Sequence, residues 1–169
     1  MSPATLQGWF TGRLPDDWFS APPDLTVDRE EILVVGTIPE PDTKGLDDDA
    51  TAAARAARIE AFREETRPRR MRVADAAEAK FGRKVSWGAR CGDEERVFTT
   101  LSVPVMTRLR MPERRVLDTL VDSGVARSRS EALAWCVRLV REHEGDWIEE
   151  LRDALVRVEE VRAQGPSAA

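Results

Sequence analysis

The sequence predicts an α+β chain: an N-terminal β-α-α-β-β region, then a strand-helix-helix unit, then a C-terminal amphipathic helix. Three observations carry that reading. Residues 32–38 (ILVVGTI) form a short, continuously apolar run, the pattern of a strand buried on both faces. Residues 50–81 repeat apolar side chains at helical spacing on either side of Arg67-Pro68. Residues 106–143 (MTRLRMPERRVLDTLVDSGVARSRSEALAWCVRLVREH) read strand, turn, helix, turn, helix. At 169 residues the chain holds one or two small domains. The expected division is an arm over 1–31, an accessory domain over 32–104, the strand-helix-helix unit over 105–143, a helix over 144–163 and a disordered tail over 164–169.

The first 31 residues are rich in Pro, Asp and aromatic side chains, and an extended arm is expected there. Trp9, Phe10, Trp18 and Phe19 form two aromatic pairs nine residues apart. They serve either as packing onto the chain's own core, the favoured reading, or as a clasp for a protein partner. Residues 39–49 (PEPDTKGLDDD) are a turn-rich acidic loop. A helix over 50–66 would turn Ala53, Ile59 and Phe62 to its drier side. Arg67-Pro68 disfavours helix and is expected to break or kink it. A second helix, from about Arg69 to Phe81, carries Met71, Val73, Ala74 and Ala77 and stops at Gly82. Residues 85–91 and 97–103 read as strands of a hairpin joined through residues 92–95.

In residues 106–111 side chains alternate, with Leu109 and Met111 on one face and Met106, Arg108 and Arg110 on the other. Pro112 suits the first helical position. Val116, Leu117, Leu120 and Val121 continue at helical spacing, and Gly124 suits the left-handed residue past a helix end. Ser128 with Glu131 three residues on is a capping box, so a second helix starts there with Leu133, Cys136, Val137 and Val140 along one stripe. After His143, Trp147, Ile148, Leu151, Leu155 and Val158 recur every three or four residues. That helix either extends a dimer or packs within the chain.

This order and spacing resemble the ribbon-helix-helix family, the Arc/MetJ type of dimeric DNA-binding module, over 38 of the 169 residues. The resemblance implies a homodimer whose strands pair into a ribbon that enters the major groove. It implies base contacts from Met106, Arg108 and Arg110, an arginine being able to bond guanine O6 and N7 together. It also implies that the helix N-terminus at Ser128, Arg129 and Ser130, with Arg127 beside it, holds a phosphate. The competing reading makes residues 106–111 an ordinary strand of a larger sheet within the chain, its arginines merely solvated.

The net charge of −5 argues against a nucleic-acid partner until it is divided along the chain. Residues 1–66 hold 6 basic and 14 acidic groups, net −8; residues 67–96 hold 9 and 5, net +4. Residues 97–143 hold 8 and 5, net +3, and residues 144–169 hold 3 and 7, net −4. Two adjacent basic blocks therefore sit between acidic flanks, compatible with phosphate binding. Within the first block, Arg69, Arg70, Arg72, Arg83 and Lys84, with Arg67, either flank the DNA contact along its backbone or form a solvated face paired with Asp47, Asp48 and Asp49. Arginine far outnumbers lysine, which occurs only at 44, 80 and 84, a pattern that also follows from high-GC coding.

No catalytic set is legible: no GxSxG, no HExxH, no tyrosine, and one histidine, His143, placed to meet the last carbonyls of its helix. Cys91 and Cys136 lack CxxC spacing and read as reduced packing residues. No cofactor or metal is expected, and no run of about 18 apolar residues suggests a membrane span. The function expected is a cytoplasmic, non-enzymatic transcription regulator that binds DNA as a homodimer. The alternative is a dimeric scaffold or antitoxin-like interaction module, with a protein partner held through the N-terminal region.

Overall fold

A computed structural model describes residues 2–164, and the chain divides at Pro104/Val105 into two compact units. The architecture is mixed α+β, with five helices and a four-stranded sheet among the described residues. The first unit contains helix α1 (Pro3–Arg13), strands β1 (Asp24–Val27) and β2 (Glu31–Thr37), helix α2 (Asp48–Phe81), and strands β3 (Lys84–Cys91) and β4 (Glu94–Val97). The sheet order is β1-β2-β3-β4, with β2 and β3 parallel and both outer pairs antiparallel. Parallel neighbours cannot be joined by a tight turn and need a long crossover, here α2.

The N-terminal segment is not an extended arm. Ser2 Oγ accepts from the Thr5 N–H and Pro3 opens the helix, so α1 has both an N-cap and a pre-set first turn. Leu6 and Phe10, one helical turn apart, are buried, and Trp18 joins them. The aromatics are internal: Trp9, Phe10, Trp18, Phe19, Phe62, Phe81 and Trp87 meet in a chain of mostly edge-to-face contacts. They are therefore not presented as a clasp. Gly36 on β2 admits this packing, because a Cβ there would lie 2.2 Å from the Phe19 ring.

Helix α2 is one element of 34 residues rather than two. Asp47 Oδ1 accepts from the Ala50 N–H, and Asp48 and Asp49 lie in the first turn, where negative charge opposes the positive end of the helix dipole. The acidic run is thus a helix start. Pro68 cannot donate to the carbonyl four residues back and crowds it. The carbonyl left without a donor is that of Glu64; in the turn before it, Arg70 Nη2 donates to the Arg63 carbonyl at 2.6 Å and Thr66 Oγ1 to the Phe62 carbonyl at 2.5 Å, and the helix continues through the proline. Gly82, at φ +67°, ends the helix. Ile59, Val73 and Ala77 are buried as amphipathicity requires, whereas Ala53 and Met71 are exposed.

The hairpin turn is shorter than expected. Cys91 pairs with Glu94, so Gly92 and Asp93 alone make the turn and β4 ends at Val97, where the second strand was expected to begin. Cys91 is buried beside Ile38, Ile59 and Ala89, and burial pushes its thiol pKa up. Both cysteines are free.

The second unit contains α3 (Met111–Asp122), α4 (Arg129–His143) and α5 (Gly145–Gln164). Met111 and Pro112 belong to α3, with Arg110 at its N-cap, so the expected strand cannot reach Met111. After Ser123, Gly124 at φ +77° donates to the Val121 carbonyl and Val125 to that of Leu120, the paired bonds of a Schellman ending. The only buried side chains of this unit, among the described residues, are Leu117, Ala126 and Ala132. Leu109, Leu120, Val121, Leu133 and Cys136 pack partly against them. No side chain of α5 is buried, and its apolar Trp147, Leu151, Leu155 and Val158 are exposed. Of the tail expected over 164–169, Gln164 instead closes α5, and residues 165–169 lie outside the described residues. Among the described residues, no helix is long and apolar enough to cross a membrane.

Gly36→Ala is expected to destabilise the first unit by about 1–3 kcal/mol, since the added methyl must displace the Phe19 ring. Gly12→Ala, with nothing within 4 Å, should be neutral or stabilise α1 by up to about 1 kcal/mol. Urea unfolding of the two variants side by side checks the opposite signs.

Candidate nucleic-acid interface

Within the second unit, residues 105–110 run outside any helix or sheet, so the strand expected over 106–111 does not form. They are therefore not a strand of the first unit's sheet. Met106 is 94% exposed, and Arg108 and Arg110 are exposed, whereas Leu109 turns toward Leu117, Ala126 and Ala132. The alternation read from the sequence holds over residues 108–110. The Leu109 carbonyl accepts from Arg114 Nη1 at 2.8 Å. Met106 and Leu109 share an open hollow of about 320 Å³ with Arg114, Arg129 and Ser130, so this segment lies beside the start of α4.

That start is built by the capping box. Ser128 Oγ accepts from the Glu131 N–H at 3.2 Å, and the Glu131 carboxylate accepts from the Arg127 N–H at 2.8 Å. Nothing among the described residues accepts from the N–H groups of Arg129 and Ser130, the first two of α4. Such a pair at a positive helix end is suited to an anion. Arg127 is exposed. Arg129 departs from expectation: Nε and Nη2 donate to the two oxygens of Asp118 at 2.6 and 2.8 Å. Its guanidinium is therefore committed to a fork with a carboxylate, and what this residue offers an anion is its backbone N–H. The hydrogen bond from Arg129 holds the Asp118 carboxyl below the usual carboxylate range, and Asp118 in turn raises Arg129. His143 Nδ1 lies 3.0 Å from the Leu139 carbonyl at the end of α4.

The basic residues of the first unit do not gather into one patch. Arg69 and Arg72 surround a shallow hollow with Arg13, and the Arg69 guanidinium lies 6.0 Å from the Trp18 ring centre. Arg83 Nε donates to the Asp28 carbonyl at 2.7 Å, and Lys84 pairs with Glu78 at 2.5 Å. Arg70 is only 6% exposed and cannot reach a DNA backbone. It lines a separate cavity with Arg63 and Arg67. The spacing 63, 67, 70 places these three on one helical face, a signal overlooked when arginines were grouped by proximity in sequence.

The fold thus defines a two-part α+β chain: a mixed sheet with its crossover helix, followed by an open helical unit. The description "Rv1265-like protein, N-terminal domain" matches residues 4–97, and "Mb1296 C-terminal domain" matches residues 110–162. The chain is 56% identical over 160 residues to "Uncharacterized protein Mb1296" of Mycobacterium bovis and, to the same extent, to "Uncharacterized protein Rv1265" of Mycobacterium tuberculosis, covering 94% of this chain and 69% of each relative. The chain belongs to this Rv1265-like family. No solved structure matches it. Neither matched region includes residues 98–109.

Because the Asp118 pKa is lowered on folding, the stabilisation from its pair with Arg129 is present above the ordinary carboxylate range and lost as pH falls through it. Acidification below about pH 4 should shift the Arg129 Nε–H resonance, and Asp118→Asn should remove that pH dependence. NMR titration of both proteins checks it.

Proposed function

We propose that this chain is a homodimeric, sequence-specific DNA-binding protein of ribbon-helix-helix type, a transcription regulator or antitoxin-like autoregulator acting in the cytoplasm. The observation that carries the reading is the unpaired segment 105–110 beside the open N-terminus of α4, in a unit whose buried interior is one leucine and two alanines. Pairing with the same segment of a second copy supplies the ladder partners that a lone chain lacks. Association also gives the exposed apolar side chains of α3, α4 and α5 a surface to cover. In that dimer Arg108 and Arg110, with Met106, read base edges. The N–H groups of Arg129 and Ser130, with Arg127 and the Ser128 cap, hold a phosphate. Arg69 and Arg72, with Arg13 beside them, are exposed and touch flanking backbone; Arg83 and Lys84 serve less, being engaged with Asp28 and Glu78.

Selection from a genomic fragment library at two salt concentrations tests this. A short palindromic or repeated site should be enriched, with affinity falling steeply as salt rises. Arg108→Ala with Arg110→Ala should reduce affinity for that site by about a hundredfold or more while the dimer persists, each base contact being worth about 1–3 kcal/mol. An unenriched library leaves a dimeric scaffold without DNA binding, whereas loss of the dimer in the double variant places Arg108 and Arg110 in the subunit interface and sinks their assignment as readers.

A further inference from the structure

Arg70 poses a problem that the DNA reading does not address. Its side chain is almost wholly enclosed, yet its hydrogen bonds go to neutral acceptors, Thr66 Oγ1 at 2.9 Å and the Arg63 carbonyl at 2.6 Å. Its guanidinium also stacks 4.9 Å from the Phe98 ring centre. Among the described residues no carboxylate pairs with it. Burial, followed by the neighbouring Arg63 and Arg67 charges, pulls it below the ordinary arginine value. An enclosed cation is costly unless an anion accompanies it. Two of its five N–H groups are used, leaving three to donate.

The space beside Arg70 is an open cavity of about 640 Å³, within the range of small-molecule sites. One wall is polar, formed by α2: Arg63, Arg67 and Arg70 against Glu60 and Glu64. Three guanidiniums and two carboxylates leave one net positive charge, with Glu60 already paired to Arg63 at 2.9 Å. The other wall is apolar, with Trp87 and Phe98 as a floor held by the sheet edge. The Phe98 N–H donates to the Trp87 carbonyl at 2.7 Å, and Trp87 N donates to Thr99 Oγ1 at 3.4 Å.

We propose that this cavity binds a small organic monocarboxylate with an apolar or aromatic body, its carboxylate taken by Arg70 and Arg67 and its body lying against Trp87 and Phe98. The single surplus charge matches a single negative charge, and the carboxylates of Glu60 and Glu64 disfavour polyanions. The site lies wholly in the first unit and stands independently of the DNA assignment.

Titration of the full chain with benzoate and, separately, inorganic phosphate tests it, read from the Trp87 indole N–H resonance identified by its loss in Trp87→Phe. Benzoate should shift that resonance saturably. Arg67 is exposed, so Arg67→Ala should fold normally and weaken benzoate by about tenfold or more, while Arg29→Ala, exposed and outside the cavity, leaves it unchanged. Arg70→Lys should weaken it likewise, because a point charge replaces a planar fork. No saturable shift with benzoate, equal binding of inorganic phosphate, or benzoate binding that survives Arg67→Ala would each overturn the proposal.

Discussion

Two parallel strands side by side impose the central constraint on this molecule. β2 and β3 cannot pair without a crossover that leaves one end of the sheet and returns to the other. α2 meets that need and does more. Its buried positions run from Ile59 to Ala77, about 27 Å of helix, against about 26 Å for the eight residues of β3. The buried stretch of the helix therefore matches the strands it covers. The turns before Ile59 carry no buried side chain, so the first part of α2 is held by its cap and by solvated polar groups rather than by a core.

The same helix decides where positive charge goes. Arginines at 63, 67 and 70 share the face that lines the cavity, whereas those at 69 and 72 are rotated away toward Arg13. Pro68 denies a donor to the Glu64 carbonyl, and in the turn before that break Arg70 and Thr66 donate to the carbonyls of Arg63 and Phe62. Arg70 is thus held against its own helix by two hydrogen bonds as well as by packing.

Some of this was legible in the sequence. The apolar run at 32–38 marks β2 to within a residue at each end, because continuous apolar runs of that length have few other uses. Gly124 and the Ser128–Glu131 pair located the turn between α3 and α4, because caps act locally and need no tertiary knowledge. α1 was hidden by its composition: Pro3, Gly8 and Gly12 suggest an irregular arm, although Ser2-Pro3 and the Leu6, Phe10 spacing were present. The single α2 was hidden because Pro68 reads as a break, and the side-chain bonds around it, which span four and seven residues, leave no mark in the apolar periodicity. The candidate interface was legible only by residue type. Arg108 and Arg110 stand exposed as the alternation implied, but the fork between Arg129 and Asp118 joins residues eleven apart across a turn, which no periodicity reports.

The slight interior of the second unit has a consequence for abundance. Conformational entropy opposes ordering all of α3, α4 and α5, and one buried leucine with two alanines offsets little of it. Whatever surface covers the remaining apolar side chains contributes to the folding free energy itself, so the ordered fraction of these helices follows mass action. In the proposed homodimer that surface is a second copy, so scarce molecules are the ones open to proteases and accumulation protects the survivors.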